Sequence, residues 1–255
     1  MRLNIKYKGK QNTVFAKVAN RLIGRLRRSD KDHKEVNAKA PLDAEFTLYG
    51  YLKKDGTFDY ERYRRVQEEG NKRKLDKVWV IEKNIEFLAH YLKKRLGSVP
   101  FGICHGTRRG LEQEWFRKYL GADVIGTEIS ETATQFPHTI QWDFHKVKAE
   151  WINKVDFIYS NSFDHSYDPR KCLKAWMSCI RPGGYCIIEH SDGHHASGAN
   201  QLDPFGAHLV QMPYLIALWG GGRFGVREIL FAPVKKKELQ YTAFIVIQNF
   251  INERT

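Results

Sequence analysis

The last two apolar runs of the chain, FGVREILFAP (224–233) and LQYTAFIVIQNF (239–250), are joined by only five residues, VKKKE. A parallel crossover needs about a dozen residues or more, so these two runs must pair as an antiparallel hairpin. Upstream the pattern is different. VPFGIC (99–104), ADVIGTEIS (122–130), TIQWDF (139–144), VDFIYSNS (155–162) and YCIIEHS (185–191) read as strands. Between and after them RRGLEQEWFRKYLG (108–121), VKAEWINK (147–154), PRKCLKAWMSCIRPGG (169–184) and DPFGAHLVQMPYLIALWGG (203–221) read as helices. Such alternation implies βαβ crossovers and a parallel sheet covered on both faces. The expected fold is α/β: a doubly wound, seven-stranded, mostly parallel sheet with a C-terminal antiparallel hairpin, plus an N-terminal helical extension.

The extension is expected over residues 1–98, ahead of a Rossmann-like domain over 99–255. Residues 11–28 carry Val14, Phe15, Val18, Leu22, Ile23 and Leu26 at helical spacing, with Lys17, Arg21, Arg25 and Arg28 largely on the other side. Residues 29–44 are polar and read as a linker. FTLYGYLKKDGTF (46–58) suggests a short hairpin turning at Asp55-Gly56. Residues 59–75 and 78–97 read as two helices, the second stopped by Gly97 and Pro100. Charge divides at the same boundary. Residues 1–98 hold 25 Lys and Arg against 13 Asp and Glu, whereas residues 99–255 hold 17 against 16. The front of the molecule should therefore attract an anionic surface. No run approaches a membrane span, and the charged start is not followed by the apolar stretch of a signal peptide. A cytoplasmic location is expected, with the inner membrane face as one anionic surface the front can meet. The four cysteines form no CxxC pair and fit buried small hydrophobes better than a disulfide scaffold or a zinc site.

The first strand runs into Cys104-His105-Gly106-Thr107-Arg108-Arg109-Gly110 and then a helix. Glycines there let backbone approach a ligand, and the amides at the helix start face it. Glu128 closes the second strand, 22 residues after Gly106, where a carboxylate can accept from both hydroxyls of a ribose. Asp143 closes the third strand beside Phe144, an acid and a ring suited to adenine. The alternative for Asp143 is the N-cap of a helix over 145–153.

This series resembles the class I S-adenosylmethionine-dependent methyltransferases. The resemblance covers residues 99–250 and includes Arg181-Pro182-Gly183-Gly184 before the fifth strand. It implies S-adenosyl-L-methionine as cofactor. It places His105, Gly106, Thr107 and Gly110 at the methionine end, Glu128 and Ile129 at the ribose, and Asp143 and Phe144 at the adenine. Asn161 and Phe163 then lie beside the transferred methyl. Two positions depart from the family. Cys104 stands where an acid is usual and Arg108 replaces the middle glycine, so the contact to the cofactor's amino group is expected from elsewhere.

Asn161-Ser162-Phe163-Asp164 lacks the prolines of the amino-methylating members, which argues for a hydroxyl acceptor. His165 is the expected base, oriented by Asp164, with His190 second; the alternative for Asp164 and His165 is a loop-capping pair. The cluster Glu189-His190-Ser191-Asp192-Gly193-His194-His195 rims the same site in this fold. It can supply a second base, bind a divalent metal, or be a solvated loop; the sequence does not choose. Tyr60, Tyr63 and Gln67 share a helix face and resemble the lid helix of some bacterial methyltransferases of glycan and secondary-metabolite pathways. The expected reaction is O-methylation of a sugar, sugar-phosphate or other small polar, anionic acceptor. The alternatives are an RNA methyltransferase, ranked second because no RNA-binding module is recognisable, and a non-catalytic Rossmann-like binding protein.

Overall fold

The structure is a computed structural model that describes residues 46–250. The helix expected over 11–28 and the linker over 29–44 lie outside the described residues. In chain order the elements begin with β1 (Phe46–Leu48), α1 (Tyr60–Arg73), α2 (Glu82–Leu96), β2 (Phe101–His105) and α3 (Leu111–Leu120). Next come β3 (Asp123–Glu128), β4 (Thr139–Gln141), β5 (Val155–Ser160), α4 (Pro169–Cys179) and β6 (Ile180–Ser191). The chain continues through β7 (Phe205–Ala207), α5 (Met212–Gly220), β8 (Phe224–Phe231) and β9 (Thr242–Asn249).

Seven strands form one sheet in the order β4-β3-β2-β5-β6-β9-β8. The first five are parallel; β9 runs antiparallel to both β6 and β8. The five-residue link thus makes the expected hairpin. Strand order reverses between β2 and β5, and ligands of doubly wound sheets bind outside the carboxyl ends of the strands at such a point. At the centre Gly102 of β2 lies under Phe157 of β5; a Cβ there would meet the ring at 2.2 Å, so only glycine lets the strands pair at this spot.

Each face of the sheet carries its own core. One packs α2 and α3 through Ile85, Leu88, Leu92 and Phe116 onto Phe157, Ile187 and Val246. The other packs α4 and α5 through Leu173, Trp176, Leu215 and Ile216 onto Ile103, Ile158 and Ile245. Leu88 is fully buried, and burying one such side chain is worth about 1.5–3 kcal/mol. Caps fix where the helices start: Asp59 accepts from the Arg62 amide before α1, and Asp168 from the Lys171 amide before α4, which opens on Pro169.

Three expectations fail locally. Residues 46–58 are not a simple hairpin, because β1 pairs with β7 and only Leu52 and Phe58 bridge across the turn. The stretch 203–221 is not one helix. Its first part is β7, in which Gly206 passes so close to the His195 carbonyl that a Cβ would sit 2.4 Å from it, and α5 starts only at Met212. The helix over 147–154 shrinks to one 3₁₀ turn at Ala149–Trp151. Among the described residues no helix is long and apolar enough to cross a membrane. All four cysteines are buried and unpaired.

Candidate active site

Two adjoining cavities open at the carboxyl ends of β2, β3 and β5. The loop after β2 separates them. Gly106 has φ +74°, and a Cβ there would lie 2.7 Å from that of Ser162. Its amide and that of Thr107 donate to the Thr127 carbonyl. Thr107 Oγ1 is buried without a hydrogen-bond partner. Arg108, in place of the middle glycine, takes φ +25° and donates to the Lys77 carbonyl at 3.2 Å.

The smaller cavity, about 50 Å³, is bounded by Glu128, Ile129, Asp143 and Phe144 on the sheet side and by Tyr63, Gln67 and Asn71 of α1 on the other. The Glu128 carboxylate is buried and accepts from the Ser130 amide at 3.0 Å, with the Ile129 amide and the Asn71 side chain also bonded to it. Burial pushes its pKa up, and the Ser130 amide and nearby Arg108 only partly offset this. Asp143 behaves differently. Burial would raise its pKa, but the His145 ring and amide and the Tyr60 hydroxyl, at 2.8–3.0 Å, hold it below the usual range. Its carboxylate therefore organises the loop and holds α1, while one edge still faces the cavity. No helix follows it to be capped.

α1 lies across this cavity. Tyr63 donates to the His165 carbonyl at 3.1 Å, and Gln67 donates from Nε2 to the Leu202 carbonyl at 3.0 Å. Gln67 Oε1 faces His165 Nδ1 at 2.8 Å. Since that oxygen only accepts, Nδ1 carries the proton and Nε2 has a free lone pair.

The larger cavity, about 180 Å³, has Lys74, Lys77, Arg108 and Arg109 on its walls beside Trp79. Glu112, Asn161, Asp164, His165, His194 and Asp203 also line it. Asn161 Nδ2 donates to Glu112 at 3.1 Å. Burial lifts the Glu112 pKa to about 7, with Asn161 pulling it down and Glu189 pushing it up. His165 Nε2 lies 3.5 Å from Asp203, and His194 Nε2 lies 3.7 Å from Asp164.

The structure thus gathers Gly106, Thr107, Glu128, Ile129, Asp143, Phe144, Asn161, Asp164 and His165 around the two cavities. Four expected residues do not line either. Gly110, with φ +75°, shapes the turn into α3 from behind, where a Cβ would strike Gln113. The His105 ring turns into the core, stacks on Trp176 at 4.9 Å and is pushed down to about 3 by burial. Phe163 packs between Trp176 and Phe205. His190, the second expected base, has both nitrogens engaged, by the Ala207 carbonyl and the Tyr241 hydroxyl, and burial lowers its pKa to about 3. It cannot take a proton from an acceptor in this arrangement. Of the 189–195 cluster only Gly193 and His194 reach the larger cavity. Glu112, Lys74 and Asp203 carried no sequence signal; each comes from a different element and only the fold assembles them.

A family model described as a methyltransferase domain matches residues 103–188, from β2 into β6. Over these residues the chain is similar to a methyltransferase domain, and its sheet has the Rossmann-like fold of such enzymes. Solved structures share the fold of this chain at low identity. One is the 1,6-didemethyltoxoflavin-N1-methyltransferase of Burkholderia thailandensis, with its substrate and S-adenosylhomocysteine bound. It is 15% identical with a TM-score of 0.59, the match covering 83% of this chain and 99% of that one. A plantazolicin methyltransferase in complex with a desmethyl analogue and S-adenosylhomocysteine is 12% identical, with a TM-score of 0.58 over 75% and 96% of the two chains. The geranyl diphosphate C-methyltransferase of Streptomyces coelicolor A3(2), in complex with Mg²⁺, geranyl diphosphate and S-adenosylhomocysteine, is 11% identical, with a TM-score of 0.53 over 74% and 98%. No curated protein matches this chain in sequence. The site fits the cofactor on its own geometry: a glycine loop too tight for a Cβ, an unpartnered buried hydroxyl at Thr107, and a buried carboxylate at Glu128 on the cavity wall.

Proposed function

We propose that the protein is an S-adenosylmethionine-dependent methyltransferase that transfers a methyl group to a hydroxyl of a small anionic acceptor, such as a sugar phosphate of a glycan or metabolite pathway. The observation that carries this is the larger cavity. Four cationic side chains, Lys74, Lys77, Arg108 and Arg109, stand around a floor that holds a free imidazole nitrogen. The cationic walls suit a phosphate or carboxylate, and His165 suits a hydroxyl that must lose its proton.

When bound, S-adenosylmethionine supplies a sulfonium-activated methyl group. Glu128 would accept from its ribose hydroxyls, and Asp143 with Phe144 would meet its adenine. Glu112, seated by Asn161, would offer the carboxylate that Cys104 lacks to its ammonium. Arg108 stands between the two cavities and would meet its carboxylate. His165 Nε2 takes the acceptor's proton as the oxygen–methyl bond forms, with Gln67 fixing the tautomer and Asp203 stabilising the charged ring. α1 excludes water and holds the cofactor in line, the larger part of the rate gain.

The test is methyl transfer from labelled cofactor to a panel of phosphorylated sugars, neutral sugars and RNA. Phosphorylated sugars should be preferred, and His165→Ala should lower turnover by about 10²–10⁴ while cofactor affinity holds. Exclusive methylation of RNA, or no turnover of cofactor with any acceptor, would overturn the reading.

A further inference from the structure

We propose that Asp164, His165 and Asp203 form a divalent-cation site on the floor of the acceptor cavity. One donor atom from each residue lies within 4.8 Å of the other two. Ligands that share one ion at roughly 2.1–2.2 Å sit about 3–4.4 Å apart, so small rotations complete the set.

Protonation states favour these three over their neighbours. His165 Nδ1 donates to Gln67 Oε1, which leaves the Nε2 lone pair directed at Asp203. Metal-bound histidines typically have their other ring nitrogen held by such an acceptor. His194 is the reverse case. Its Nδ1 accepts from the Ser191 amide at 3.0 Å, so Nε2 carries the proton and points toward Asp164. His194 therefore orients the Asp164 carboxylate and is not itself a ligand.

A second observation is independent of the clustering. Asp164 Oδ1 is shut off from solvent and has no hydrogen-bond partner, on a side chain only 12% exposed. A buried carboxylate oxygen left bare is costly, and Asp203 brings a second negative group into the same cavity. A cation between them removes both penalties. Two carboxylate oxygens and one imidazole nitrogen suit Mn²⁺ or a neighbouring divalent ion better than a soft metal. Three protein ligands leave open positions, and these face the cavity where the acceptor lies.

The consequence deepens the proposed function and rests on it only for the nature of the acceptor. An acceptor oxygen bound to the cation becomes more acidic. With the ion bound its proton leaves to water and His165 Nε2 is a ligand; in the metal-free protein Nε2 keeps the base role of the proposed function. A phosphate on the acceptor would take a further position.

The experiment is titration of metal-stripped protein with Mn²⁺ alone, followed by calorimetry and by the loss of the free-ion electron paramagnetic resonance signal. One ion should bind per chain. Asp203→Asn and Asp164→Asn should each weaken it at least tenfold while S-adenosylhomocysteine affinity stays within about twofold, which also shows that the variants are folded. Absence of saturable binding, or unchanged affinity in both variants, overturns the site. Methyl transfer that persists in chelator then leaves the proposed function standing alone. Mn²⁺ bound by wild type and lost by the variants, with no hydroxyl acceptor methylated, leaves the site standing without that function.

Discussion

Two carboxylates at the cofactor end have opposite characters, and each gives a measurement. Glu128 is buried, and burial raises its pKa against the Ser130 and Ile129 amides and the Asn71 side chain. On the proposed reading, removing it deletes charge-assisted hydrogen bonds to the ribose, worth about 1.5–3 kcal/mol. Glu128→Ala should lose that much S-adenosylhomocysteine affinity by calorimetry; unchanged affinity would remove Glu128 from the site. Glu112 has its pKa lifted to about 7 in the free protein, by burial first. Below that value it is neutral and gives little to a cationic ammonium. Binding the ammonium draws the pKa down, so at low pH a proton must leave for the cofactor to bind. Affinity should therefore rise between about pH 5.5 and 7 and level off before the cofactor's own α-amino group loses its charge near 7.7–8.0. Glu112→Gln should flatten this slope. A wild-type affinity that ignores pH across that window would take the ammonium contact away from Glu112. Cys104 and Arg108 led the sequence to expect this contact from elsewhere; Glu112, on the following helix and proposed for it, could not be picked from the other acids.

Among the elements, α1 joins the two cavities, since Gln67 touches both the Leu202 carbonyl and His165, and on the proposed reading it links cofactor to acceptor. Its closest approach is at Gly70, where a Cβ would lie 2.6 Å from Leu202 Cδ2. Gly70→Leu keeps or improves helix propensity and yet wedges the lid from the 201–203 loop. Overpacking of this kind costs about 1–3 kcal/mol. That loss should appear as faster S-adenosylhomocysteine dissociation in stopped flow, with protection of the 60–73 amides reduced in hydrogen exchange. Dissociation at the wild-type rate would mean that α1 is not what retains the cofactor. The helix was legible in advance because Tyr60, Tyr63 and Gln67 repeat at its spacing. The strands of the sheet were legible because they are short apolar runs bounded by turns. β7 was not: three residues flowing into an apolar helix leave no period to read, and its partner β1 lies more than 150 residues away. Asp203 was misplaced with it, so the cluster with Asp164 and His165 emerged only in three dimensions.

At the scale of the whole molecule, charge and cofactor chemistry separate. Residues 1–45 hold 12 Lys and Arg against 5 Asp and Glu, more than half of the net charge of +13. The residues lining both cavities fall between Tyr63 and Asp203. The cationic side chains named above line the acceptor cavity itself, and the attraction that the charge of residues 1–45 exerts on an anion is screened within about 10 Å at 0.1 M salt. Deleting residues 1–40 should therefore leave S-adenosylhomocysteine affinity within about twofold. The same deletion should lower the salt concentration at which the protein leaves a polyanion such as heparin, and reduce its salt-sensitive binding to anionic vesicles. Turnover of a small phosphorylated acceptor should survive, because Lys74, Lys77, Arg108 and Arg109 remain. If turnover instead collapses while cofactor binding is intact, the N-terminal charge is part of acceptor recognition. An acceptor that needs both sets of cations carries many charges, which would favour a polyanion such as RNA over a sugar phosphate.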